Sequence, residues 1–119
     1  MPVQMSRAEF EIAVGDALDQ VPHEFLDLLD NVVFLVEDEP DETLGPDCLG
    51  VYDGIPRTER GWDWGEPLLP DRITLFRHPT LRMCDSAQEV ADEVAITVVH
   101  EIAHHFGIDD DRLTELGWD

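Results

Sequence analysis

The chain has 119 residues, 28 of them acidic and 7 basic, for a net charge of −21 at neutral pH. That length suits one domain with one modest core, expected over residues 1–119. The charge argues against nucleic-acid binding, which needs basic patches for phosphate, and predicts a solvated acidic surface that favours cations and basic peptides nearby.

No apolar run approaches the roughly 18 residues that mark a membrane span. The stretch Met1 to Arg7 has no basic region followed by an apolar segment, so no signal peptide is expected and the predicted location is cytoplasmic. Cys48 and Cys84 are far apart and lack a CxxC pattern. In a cytosolic chain they read as buried, reduced thiols.

In chain order, Ser6 and Glu9 form a capping box, followed by Phe10, Ala13, Val14 and Ala17 at helical spacing. A first helix to about Leu18 follows. Pro22 suits the first turn of a second, short helix through Leu29. The unbroken run Val32-Val33-Phe34-Leu35-Val36 reads as a buried strand. Residues 37–47 are acidic and hold Pro40, Gly45 and Pro46, which predicts a surface loop. Leu49 to Tyr52 suits a second strand, and residues 53–71 a Gly- and Pro-rich loop containing Trp62 and Trp64. Arg72 to Arg77 alternates as a third strand, stopped by Pro79.

Ser86 and Glu89 form a second capping box. It opens a long helix whose apolar stripe comprises Val90, Val94, Ala95, Val98, Val99, Ile102 and Phe106. A short helix from about Asp111 to Leu116 completes the chain. The expected fold class is α+β, or loosely α/β: helices packed on a small mixed sheet of three or four strands. An exposed sheet edge, at 72–77 or at 49–53, could hold an extended peptide by strand addition.

The long helix ends on His100-Glu101-Ile102-Ala103-His104, followed by Gly107 and Asp110, in the pattern H-E-x-x-H-x-x-G-x-x-D. Residues four apart on a helix are stacked, with Cβ atoms roughly 5–6 Å apart, so both imidazoles can face one ion. Glu101 is turned by about 100° from His100 and can lie beside the metal as the general base for its water. Catalytic zinc usually has three protein ligands and an open position. Gly107 suits the left-handed turn that ends a helix, and spacing then favours Asp110 as third ligand, with Asp109 and Asp111 as flanking alternatives. The expected site is therefore one Zn2+ held by His100, His104 and Asp110, with Glu101 catalytic.

This motif resembles that of the zincin metallopeptidases whose third ligand is aspartate. The whole chain resembles the minimal zincin-like family of bacterial proteins. The resemblance rests on Val99 to Gly107, on Gly54-Ile55-Pro56-Arg57-Thr58-Glu59-Arg60 and on Arg72-Ile73-Thr74-Leu75-Phe76-Arg77. It implies a zincin fold and hydrolysis of a peptide or protein substrate. The larger zincins often have a Met-containing turn beneath the metal. Here Met1, Met5 and Met83 all precede the motif, and Trp118 is the aromatic expected to serve as a substitute floor or to cap a nearby core.

Other chemistry-bearing residues receive plainer readings. Tyr52 reads as a packing tyrosine, His105 as a helix-surface histidine turned from the ligand face, His78 as a loop histidine, and His23 as a helix start. Arg57 and Arg60 read as partners of the many carboxylates, with a substrate carboxylate as the alternative. Trp62 and Trp64 suit a satellite core under their loop. The alternative to an enzyme is a catalytically inactive zincin-like domain that binds metal and acts as an interaction module. A purely structural zinc would prefer four closed ligands rich in cysteine, and neither cysteine is near the motif.

Overall fold

In the computed structural model the described residues are 3–29, 32–54, 71–109, 111–112 and 115, without the side chains of Glu24, Phe25 and Leu28. They form α1 (Arg7–Asp19), α2 (His23–Leu28), β1 (Val32–Glu37), β2 (Gly50–Asp53), β3 (Asp71–Phe76), α3 (Arg77–Arg82) and α4 (Ala87–His105). This is the expected α+β class.

Both long helices start where the capping residues predict. Ser6 Oγ accepts from the Glu9 N–H at 3.1 Å, and the Ser6 N–H donates to Glu9 Oε1 at 3.2 Å. Such a cap stabilises a helix by about 1 kcal/mol. Ser86 Oγ accepts from the Glu89 N–H at 3.1 Å, but here the glutamate reaches one residue further back, to the Asp85 N–H at 3.3 Å. Pro22 is the N-cap of α2 and so just precedes its first turn.

The three strands are ordered β1-β3-β2, with β1 parallel and β2 antiparallel to β3. This order corrects two expectations. The strand near 72–77 is central and is no candidate edge; among the described strands the edges are β1 and β2. The apolar run 32–36 is not a fully buried strand. As an edge it buries Val36 but leaves Val33 38% and Leu35 39% exposed. Central β3 is instead the covered strand, with only Arg72 exposed.

Pro79 does not simply stop β3. It occupies the third position of the short helix α3, where a proline's missing N–H has no intrahelical partner to lose. His78 is therefore helical rather than in a loop, and contacts Glu39 through Nδ1 at 3.0 Å.

The core brings together Phe10, Val14 and Ala17 of α1, Val36, Ile73 and Leu75 of the sheet, and Val90, Val94, Val98 and Ile102 of α4. Fully burying a Val, Leu, Ile or Phe side chain contributes about 1.5–3 kcal/mol. The four α4 residues recur at intervals of four, so one face of that helix is committed to the core along its length. The stripe is narrower than expected, since Val99 is 37% exposed. No helix among the described residues is long and apolar enough to cross a membrane.

Candidate metal centre

The last turns of α4 carry the motif. His100, Glu101 and His104 offer ligand atoms that all lie within 4.8 Å of one another. The two imidazole rings are 4.8 Å apart between centroids and meet edge to face at 76°. This is the stacking that the four-residue spacing requires.

Glu101 is buried, at 6% exposure, while both histidines are half-buried. Its burial follows from phase: it is seven residues from Val94, four from Thr97 and three from Val98, all on the packed side of the helix. Its Oε1 contacts His104 Nδ1 at 3.0 Å. A carboxylate against an imidazole fixes the ring's orientation, an arrangement common around metal-bound histidines. Two imidazoles with a carboxylate in mutual reach are also a nitrogen-and-oxygen donor set of the kind zinc takes.

The helix ends as the glycine predicts. Gly107 has φ 82°, its N–H donates to His104 O at 2.9 Å, and the Ile108 N–H donates to Ala103 O at 3.0 Å. These are the paired bonds of a Schellman turn. Beyond it, Asp109 Oδ1 accepts from the Arg112 N–H at 2.9 Å, and Asp111, Arg112 and Glu115 are helical. Asp109 is thus engaged by the backbone of the helical residues that follow it. Asp110 lies outside the described residues, as do Arg57, Arg60, Trp62, Trp64 and Trp118.

A cleft of about 230 Å3 opens beside the motif, lined by Leu49 and Gly50 on one side and by Glu93, Ile96, Thr97, His100 and Glu101 on the other. It is the space between edge strand β2 and α4. A larger depression, about 610 Å3, lies between the N-terminal segment and α3. It holds no motif residue, and the chemistry favours the smaller cleft.

One plain reading is corrected by the structure, and another is extended. His105 is not on the helix surface but wholly buried. It is seven residues after Val98 and three after Ile102, so it continues the apolar stripe, and that spacing was the signal for its burial. Tyr52 does more than pack: its hydroxyl donates to Asp71 Oδ2 at 2.6 Å. Asp71, expected at the end of the 53–71 loop, is instead the first residue of β3; an acidic residue opening an apolar strand runs against strand preferences and is the signal the sequence offers. Cys84 is buried as expected, whereas Cys48 is only half-buried, with its Sγ donating to Gly50 O at 3.1 Å. Burial pushes both thiols above the ordinary cysteine value.

The fold and this cluster together define a small α+β protein built around a helix-borne His/Glu group of metal-binding type. The chain belongs to the zincin-like metallopeptidase family, whose family model matches residues 29–118. Among solved structures it is similar to a conserved hypothetical protein from Thermus thermophilus. That likeness has 25% sequence identity and a TM-score of 0.59, and covers 96% of this chain and 100% of the other. No curated protein matches the sequence.

Proposed function

We propose that this protein is a zinc-dependent peptidase, with His100, His104 and Asp110 as metal ligands and Glu101 as general base. The observation that carries this reading is a buried carboxylate that lines a cleft with His100 and lies within ligand reach of both His100 and His104. Asp110 is preferred as third ligand because the Gly107 turn reverses the chain just before it, and because Asp109 is engaged by the backbone that follows it.

When bound, zinc supplies positive charge that polarises the scissile carbonyl and makes a nearby water more acidic. Glu101 takes the proton from the attacking water and delivers it to the leaving amine nitrogen. The contact with His104 aims the carboxylate, and its burial limits competition from bulk water. The substrate is an extended peptide that pairs with the outer edge of β2 and lies along the cleft. The two cysteines, which form no disulfide with each other, suit a reducing compartment such as the cytoplasm.

The test is metal analysis of the purified protein joined to a peptide-cleavage screen, before and after chelation and zinc replacement. Bound zinc with cleavage that chelation removes and zinc restores is the expected result. Failure to take up zinc would sink the metal reading. Stoichiometric zinc without cleavage of any peptide would favour the interaction module over the enzyme.

A further inference from the structure

Three segments distant in sequence meet on one buried carboxylate. Asp71, the first residue of β3, is 5% exposed. Its Oδ2 accepts from the Tyr52 hydroxyl of β2 at 2.6 Å and pairs with His105 Nδ1, at the end of α4, at 3.0 Å. Tyr52 and His105 also meet edge to face, with centroids 5.8 Å apart, and His105 meets the ring of Phe106 at 5.2 Å. Gly54 lies so close that a Cβ there would stand 2.5 Å from the Asp71 carboxyl carbon and Oδ1. The backbone after β2 thus passes directly over the carboxylate.

A buried carboxylate is costly unless its hydrogen bonds are made, and well-packed apolar residues would often stabilise a core as well or better. What a satisfied polar network adds is a single, directional arrangement. Here the direction matters. His105 follows His104 and precedes the Gly107 turn by two residues. Successive helical residues are separated by about 100° about the axis. Pinning the His105 ring to the core therefore sets the heading of His104 and the point from which the chain reverses.

We propose that Asp71 is a positioning residue for the metal site: through His105 it fixes the rotation of the last turn of α4, with Tyr52 and Gly54 holding its carboxylate in place. This rests on the metal-site reading given above. Neither Asp71 nor His105 is a ligand in it. Their role is to present His104, and the chain beyond Gly107, in the geometry the ion needs.

The experiment measures Zn2+ affinity by competition with a chromophoric chelator, and the visible spectrum of the Co2+-loaded protein. Both are compared with the melting temperature of the metal-free protein. The variants are Asp71→Asn, His105→Leu, His105→Gln and Tyr52→Phe, with Leu81→Ala as a core substitution remote from the motif. Asp71→Asn and His105→Leu should weaken Zn2+ binding about tenfold or more, by analogy with losses at groups that orient ligands, and should change the Co2+ spectrum. His105→Gln, which keeps a donor, should recover part of both. Leu81→Ala should lower the melting temperature while leaving affinity and spectrum as in the wild type.

Variants that lose melting temperature but keep wild-type affinity and spectrum would overturn the proposal and leave the group merely structural. If Asp71→Asn does not fold, Tyr52→Phe decides, since it removes one hydroxyl from a half-buried ring; unchanged Zn2+ affinity and Co2+ spectrum there would overturn the proposal. A wild-type protein that binds neither ion would overturn the metal reading itself, and this proposal with it.

Discussion

Gly50 rests against Thr97 so closely that a Cβ on the glycine would stand 2.6 Å from the threonine Cγ2 and 3.1 Å from Thr74 O. The threonine is held in place, since its hydroxyl donates to Glu93 O at 2.8 Å. β2 is therefore laid directly on α4, one turn before the motif, and this contact shapes the cleft.

Replacing Gly50 by alanine should force β2 away from α4 and destabilise the protein by about 1–3 kcal/mol, the usual cost of overpacking. Thr97→Ser removes the opposing methyl, so adding it to Gly50→Ala should recover part of the loss. Urea unfolding of the two single variants and the double variant measures this coupling. Strictly additive changes would show that the two residues do not press on each other.

Glu101→Gln preserves shape and removes the proposed base. Zinc content should be unchanged while peptide cleavage falls by at least about 10²-fold, the lower end of what a positioned general base contributes. Metal analysis and steady-state kinetics on one preparation check both halves. Cleavage at the wild-type rate would remove Glu101 from the chemistry.

Gly107 has a left-handed backbone, with φ 82°. An L side chain in that region costs about 1–2 kcal/mol. Gly107→Ala should lower thermal stability by that amount and, if Asp110 is the third ligand as proposed, weaken zinc binding as well, because the turn lies between His104 and that residue. A wild-type melting curve would mean that the turn tolerates a side chain. Lost stability with intact zinc binding would mean that the turn does not set the third ligand.

The acid limb of the stability curve should report the cluster around Glu39. The Arg82 guanidinium hydrogen-bonds Glu39 and, with His78 beside it, holds its carboxyl below the ordinary value of 4.5. A carboxylate whose folded value is depressed adds stability that is complete above the unfolded value. That stability is lost as pH falls through the folded one. Glu39→Gln should therefore flatten the stability–pH curve below about pH 4.5, with little further effect between pH 6 and 8 beyond a uniform offset. Because the pair is exposed, molar salt should shrink the difference. Chemical unfolding from pH 3 to 7 in the wild type and variant would reveal it, and parallel curves would exclude a role for the pair.

Much of the local architecture was legible in the chain. Ser6 and Ser86 marked the helix starts because a short hydroxyl side chain satisfies backbone donors that no other residue nearby can reach. Gly107 marked the end of α4 because few other residues enter a left-handed turn without cost. The ranking of strands was not legible. The run 32–36 looks more apolar than 71–76, yet β3 is the covered strand because β1 and β2 flank it. That order depends on pairings between residues some 20 to 40 positions apart, and no local pattern records them. The helical setting of Pro79 was hidden for a related reason: a proline after a strand reads as a stop whether the chain then enters a loop or a first helical turn.

The candidate site divides along the same line. The juxtaposition of His100, Glu101 and His104 was determined by sequence alone, because residues three and four apart on one helix are neighbours whatever surrounds them. The cleft lined by Gly50 and Thr97 and the contact of Asp71 with His105 across 34 residues were decided only by tertiary structure. They depend on how a strand and a helix pack together, and that packing is fixed by the whole core.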